Sequence, residues 1–134
     1  MTSVSETQLN KMVRIRVKKD MIELVFLKSP ESLRKEAPLS HFVSDKVKNI
    51  LDEGGTKKFT LLVNLLKIGE SGSPPAEARK VYAKMGSDVR LKKVAVCGDS
   101  VRLKVVSNFI ARLTKRSEFH WFDTLAEAKK WLQK

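Results

Sequence analysis

The chain has 134 residues, 42% of them hydrophobic, and a formal net charge of +12. This length suits one domain with its own core, and the hydrophobic content excludes a wholly disordered chain. A single cysteine excludes an intrachain disulfide, so a reducing cytoplasm is the expected compartment. No apolar run approaches the roughly 20 residues that a membrane-spanning helix needs.

The N-terminal part of the chain predicts a tail and a hairpin. Residues 1–10 are polar and lack a signal-peptide pattern, so we expect a flexible tail before a single domain over residues 11–134. Residues 12–17 alternate between apolar and polar side chains, and residues 21–27 are rich in apolar ones. Two adjacent strands are therefore predicted.

A helix is expected after the hairpin. Apolar residues recur at helical spacing over residues 39–51, and Gly54 and Gly55 end the pattern. Pro38 is expected to stop any helix that begins before it, because proline removes a backbone donor and clashes with the preceding turn.

The middle of the chain predicts a buried strand, a loop and a helix. Residues 59–66 read FTLLVNLL and interrupt their apolar run only at Thr60 and Asn64. A Gly/Ser loop follows, in which Ser73 suits the N-cap of the next helix and Pro74 suits its first position. The buried face of that helix is predicted to contain Ala78, Val81, Tyr82 and Met85.

A second strand–turn–helix unit follows at residues 94–113. Residues 94–97 form the apolar strand, Gly98 permits the turn, and Asp99 or Ser100 can cap the helix. Apolar residues then recur every fourth position, and we predict that this stripe packs on the core; it consists of Val101, Val105, Phe109 and Leu113, with Val106 and Ile110 beside it.

The last unit is an aromatic strand at residues 118–122 and a helix that begins with a capping box of Thr124 and Glu127. The whole pattern predicts an α/β fold. Its sheet is mixed and mostly parallel, with about five strands formed by the N-terminal hairpin and a β-α-β-α-β-α series, and with helices packed on it.

The candidate site lies where the strands end. In an open α/β sheet ligands bind at the carboxyl ends of the strands, where helix N-termini favour anions. We therefore expect a small ligand or a protein partner to contact residues of this rim, namely Asn64, Gly69, Ser71, Ser73, Gly98, Asp99, Ser100 and Arg102. Ser71 and Ser73 are also possible phosphorylation sites. The alternative is that these residues serve only as caps and turns.

Catalysis, cofactors and metals are not predicted. The sequence has no phosphate-binding loop, dinucleotide fingerprint or nucleophile elbow. His41 and His120 lie in separate segments without ligands at metal-binding spacing, so both are interpreted as structural. Cys97 is interpreted as a small buried hydrophobe; the alternative is a reactive thiol after the glycine turn.

The positive charge leaves two alternatives open. Nucleic acid is a possible partner, but the 27 Lys and Arg residues occur in every segment and are not interleaved with aromatic residues. The alternative is a generally solubilising surface.

Four stretches carry a family resemblance. They are residues 61–65, residues 69–82 with Glu77 to Tyr82, residues 94–109, and Phe122 with residues 127–132. Together they resemble a STAS domain of the SpoIIAA-like group, which includes small stand-alone bacterial proteins. The resemblance implies a non-catalytic regulatory or binding module.

The resemblance also implies two modes of action. Anti-sigma-factor antagonists of this fold are controlled by a phosphorylated serine near the positions of Ser71 and Ser73, although this chain has Asn64 where an aspartate is common and lacks the Asp-Ser-Ser/Thr-Gly signature. Relatives of the fold also resemble lipid carriers, which implies a small apolar ligand beneath the helices.

Overall fold

A computed structural model describes residues 6–28, 33–68 and 74–134 of the chain. Its strands are β1 (Val13–Lys18), β2 (Met21–Phe26), β3 (Phe59–Asn64), β4 (Leu91–Cys97) and β5 (Phe119–Phe122). Its helices are α1 (Glu6–Asn10), α2 (Leu33–Glu53), α3 (Ala76–Gly86), α4 (Val101–Thr114) and α5 (Leu125–Leu132). The predicted α/β class is confirmed.

The strands form one five-stranded sheet in the order β1-β2-β3-β4-β5. β1 and β2 form an antiparallel hairpin, whereas β2, β3, β4 and β5 are parallel neighbours. Leu61 of β3 aligns with Val94 of β4, and Val94 aligns with Phe119 of β5. The carboxyl ends of these strands therefore lie along one edge of the sheet, as predicted.

Alternating side chains divide the core between the two faces of the sheet. Ile22, Leu24 and Leu61 belong to the larger cluster, which includes residues of α2 and is contacted by residues of α3. Leu62 and Cys97 point to the other face, where they pack with Ala128 and Leu132 of α5 and with other apolar residues of that helix. The sheet is thus a central layer between unequal helical layers.

Helix α2 continues through Pro38, which corrects the prediction that this residue stops the helix. A proline in a helix interior costs about 3 kcal/mol or more. Leu39, Val43, Val47 and Leu51 are at most 1% exposed and anchor the helix on the sheet. Tertiary packing of these four side chains outweighs the local penalty.

Two predicted boundaries near the N-terminal tail and α3 also differ from the structure. Residues 6–10 form α1, where Leu9 is buried, although they were expected in a flexible tail. A single apolar residue gives no periodicity from which this packing can be predicted. Helix α3 begins at Ala76 with Pro75 as its N-cap, not at Pro74 after Ser73, because a residue that precedes proline is disfavoured in helical conformation.

Helix α4 contacts the protein through a different stripe from the one predicted. Val101 is 74% exposed, Val105 is 63% exposed, and Phe109 and Leu113 are 46% and 47% exposed. Leu103 and Ser107 are buried instead, together with Ile110, for which burial was predicted. The turn from β4 to α4 is short, so the direction of the chain and the Ser100 cap set the rotation of the helix about its axis.

Candidate functional site

A cavity of about 110 Å³ lies between the sheet and helices α3 and α4. Its floor consists of alternate residues of the central strands, including Leu24, Leu61 and Val96. Its roof consists of residues from the inner sides of the helices, including Tyr82, Met85, Leu103 and Ile110. The cavity therefore lies within the larger of the two core layers.

The walls of the cavity are mainly aliphatic and aromatic. Lys28, Tyr82 and Ser107 are the polar residues among its described lining. The Tyr82 ring meets Phe26 edge-on, with 6.3 Å between ring centroids. An apolar pocket with a few polar groups is typical of small-molecule binding sites, in which apolar walls give affinity and polar groups give orientation.

One end of the cavity lies near the carboxyl ends of the strands. Lys28 follows β2, Ile68 follows β3, and Pro74 precedes α3; all three line the cavity. Lys28 is exposed. A ligand in the cavity would therefore lie close to the carboxyl ends of the strands, which is the edge where open α/β sheets bind their ligands.

The lining of the cavity includes Ser107, whose hydroxyl is buried. The residue is 6% exposed, and its hydroxyl finds no hydrogen-bond partner among the described residues. Serine in a helix often donates to the carbonyl four residues earlier, but this hydroxyl does not. A buried hydroxyl without a partner costs about 1–3 kcal/mol. A ligand with a hydrogen-bonding group would remove this cost.

The turn between β4 and α4 is built by Gly98 and Ser100. Ser100 is 1% exposed and its Oγ accepts a hydrogen bond from the Leu103 backbone N–H at 3.1 Å, which confirms it as the N-cap. A Cβ at Gly98 would lie 2.8 Å from Cη2 of Trp121. Gly98 is therefore required by the close approach of Trp121. Both residues serve the architecture of the turn.

Other residues of the predicted rim point in different directions. Asn64 is buried, and its Oδ1 accepts from the Leu66 N–H at 3.0 Å. It alternates with Val63, which lines the cavity, and so belongs to the opposite face of the sheet. Asp99 and Arg102 are exposed. The structure therefore does not gather these three side chains into one site.

Gly69, Ser71 and Ser73 lie outside the described residues. Their predicted roles in binding, and the phosphorylation of Ser71 or Ser73, stay predictions. The N-cap of α3 is Pro75, which corrects the prediction that placed the cap one residue before Pro74.

The surroundings of Cys97 and of the two histidines are those of structural or surface residues. Cys97 is fully buried, and desolvation raises the pKa of its thiol to about 11, so it stays protonated at neutral pH. His41 pairs with Glu77 at 3.0 Å on the surface, and His120 packs edge-on against Trp131. Among residues 6–28, 33–68 and 74–134 no group of side chains has a metal-binding arrangement.

The sequence interpretation missed Ser107 as a site residue. The stripe predicted to pack on the core was centred on Val101, Val105, Phe109 and Leu113 and did not include Ser107. The signal was present: Leu103, Ser107 and Ile110 have the spacing i, i+4 and i+7, which brings a hydroxyl into a second apolar stripe. Tyr82 and Met85 were predicted as buried but not as cavity walls.

The chain was compared with known proteins. Residues 18–133 match the family model described as SpoIIAA-like, and the chain belongs to that family. It is similar to a crystal structure at 2.25 Å of an uncharacterized protein of the DUF3478 family with a SpoIIAA-like fold, from Shewanella loihica PV-4. The TM-score is 0.55 at 17% identity, over 90% of this chain and 91% of that one. None of the curated proteins compared matches it.

Proposed function

We propose that this member of the SpoIIAA-like family is a non-catalytic binding module for a small, mainly apolar molecule that carries one hydrogen-bonding group. The molecule occupies the cavity between the sheet and helices α3 and α4. The observation that carries this proposal is the buried Ser107 hydroxyl, which has no partner among the described residues and belongs to a residue that lines a mainly apolar cavity.

The size and lining of the cavity support a ligand with a compact apolar group. An engineered apolar cavity of about 150 Å³ in another protein stays dry and binds benzene. The present cavity, at about 110 Å³, accepts a group of comparable scale with modest adjustment of its walls. Larger ligands extend towards Lys28 at the carboxyl end of β2.

The proposed role is that of a carrier or sensor and not of an enzyme. The described part of the chain supplies no nucleophile with an adjacent base at the cavity, and the proposal includes no bond-making step. No helix in the ranges that the structure describes is long and apolar enough to cross a membrane. We place the module in the cytoplasm as part of the same proposal, because its single thiol is unpaired.

The test compares phenol with benzene, which share a ring and differ in one hydroxyl. Binding is measured by chemical-shift changes and by the rise in melting temperature, which grows with ligand concentration over Kd. Phenol is expected to bind about fivefold more tightly, because one hydrogen bond contributes about 1 kcal/mol. The shifts are expected at Leu103, Ser107 and the strands beneath them.

Two variants of Ser107 test the contribution of the hydroxyl and that of the cavity volume separately. Ser107→Ala removes only the hydroxyl and is expected to abolish the preference for phenol, whereas Ser107→Leu is expected to fill the cavity and abolish both interactions. Ser117→Ala, at an exposed position after α4, is the matched control. Failure of both aromatic probes to shift the wild-type spectrum, or an undiminished preference for phenol in Ser107→Ala, would contradict the proposal.

A further inference from the structure

The outer side of α4 carries an exposed apolar stripe that nothing in the cavity proposal uses. We define the outer stripe as Val101, Val105, Phe109 and Leu113, each at least 46% exposed. Consecutive members are four residues apart, so they span about 18 Å along the helix and about 120° around it. Exposed apolar residues are common singly, but four on one helical stripe mark an interaction surface.

The charges that α4 itself places around the outer stripe are of one sign. Helix α4 contains Arg102, Lys104 and Arg112 and no acidic residue. Arg79 of α3 lies over the Phe109 ring, with its guanidinium carbon 5.5 Å from the ring centroid. The charged side chains of α4 and the neighbouring Arg79 therefore give the surroundings of the outer stripe an excess of positive charge.

We propose that the outer stripe binds an amphipathic helix of a protein partner whose apolar stripe is flanked by acidic side chains. A straight stripe along one helix is complementary to the apolar stripe of a second helix laid beside it. Carboxylates on the flanks of the partner would pair with Arg102 and Arg112 in bidentate geometry. Such a partner would both cover the apolar side chains of the outer stripe and pair with the cationic side chains beside them.

The position of the arginines argues against a lipid bilayer. In membrane-surface helices the cationic residues lie on the polar face, opposite the apolar one. On α4 the angular positions of Arg102 and Arg112 fall inside the arc that the outer stripe spans, at about 100° and 20° from Val101. Insertion of the stripe among acyl chains would draw both guanidinium groups towards the hydrocarbon.

A second copy of the chain is also disfavoured. Pairing two outer stripes would bring together the cationic side chains of both helices, and each chain has a net charge of +12. Like charges in an interface oppose association. The complementary partner is therefore acidic.

The test uses two fluorescent synthetic peptides with the same leucine stripe at helical spacing. The flanking positions are glutamate in one peptide and lysine in the other. Anisotropy titration with the full chain is expected to show binding of the glutamate peptide only. Binding is expected to weaken from about 0.1 M to about 1 M salt, as the Debye length falls from about 10 Å to about 3 Å.

Matched variants locate the binding surface. Val105→Asp places a carboxylate in the middle of the outer stripe and is expected to weaken binding about tenfold or more, the effect of losing roughly 1.4 kcal/mol. Val17→Asp makes the same change at a 47% exposed residue of β1, on the opposite edge of the sheet, and is expected to leave affinity within about twofold. Circular dichroism checks that both variants fold.

The proposal would be overturned by several results. They are equal binding of the two peptides, binding of neither, an equal loss of affinity in Val17→Asp, and a concentration-dependent dimer that Val105→Asp abolishes. Co-sedimentation with phosphatidylglycerol vesicles that is sensitive to Val105→Asp, without peptide binding, would identify a bilayer as the occupant and would also overturn it. Because Val105 does not line the cavity, these results are independent of the aromatic-ligand test.

Discussion

The inner and outer sides of α4 contrast in a way that composition does not predict. The inner side buries Leu103, Ser107 and Ile110, and all three residues line the cavity. The outer stripe has four large apolar residues and stays exposed. Four of the large apolar residues of the helix are thus turned to solvent. Burial here follows from the position of the helix on the sheet, and the exposed apolar side chains are those for which we propose a partner.

The strongest way to challenge this contrast is to truncate one residue on each side of the helix. Leu103→Ala is expected to lower the free energy of unfolding by about 3 kcal/mol, because it deletes a buried side chain beside an existing cavity. Val105→Ala is expected to change it by less than about 0.5 kcal/mol. Urea denaturation measures both. Equal losses would show that the outer stripe is also packed in solution.

The second test concerns the cap that sets the rotation of α4. Ser100→Ala is expected to cost about 1 kcal/mol or slightly more, because it leaves the Leu103 N–H without its acceptor in a buried turn. Thr124→Ala removes the equivalent bond to the Glu127 N–H at the exposed start of α5 and is expected to cost less. Thermal unfolding of the two variants gives the comparison. A smaller loss of stability for Ser100→Ala than for Thr124→Ala would show that the Ser100 cap does not set the rotation that buries the inner side of α4.

The smallest effect is expected at the polar residue of the inner side, and its sign is opposite. Ser107→Ala is expected to raise the free energy of unfolding by up to about 1 kcal/mol, because a buried hydroxyl without a partner is removed. Asn108→Ala, one position along the helix and exposed, controls for the gain in helix propensity. The gain in Ser107→Ala should exceed that control when ligand is absent. A loss of stability would indicate that the hydroxyl already has a structural partner.

Much of the fold was accessible to sequence reasoning because it depends on local patterns. The apolar runs at β3 and β4, the hairpin, and the capping box at Thr124 each have one satisfactory interpretation. Their order then allows few topologies, because strands that alternate with helices pair in parallel. The family resemblance is likewise confirmed, since the match extends over residues 18–133.

The features of the candidate site were harder to predict from the sequence. Several local conformations are compatible with the same residues, and contacts between distant parts of the chain determine which one forms. Pro38 argues against a helix, yet Leu39 and Val43 pack so closely that the helix continues. The rim residues were grouped by their place along strands, but the pleat sends Asn64 to the face opposite the cavity. Alternation along a strand is known from sequence; which face holds the cavity is not.

The sequence by itself determined the strands, their order along the chain, the capping box of Thr124 and Glu127, and the presence of an apolar stripe on α4. Those features arise from interactions between residues close in the chain. Only the tertiary structure decided which stripe faces the sheet, where the Ser107 hydroxyl lies, and that a cavity remains beneath it. Each of these depends on how a rigid helix is placed over a pleated sheet, and that placement is set by contacts between distant parts of the chain.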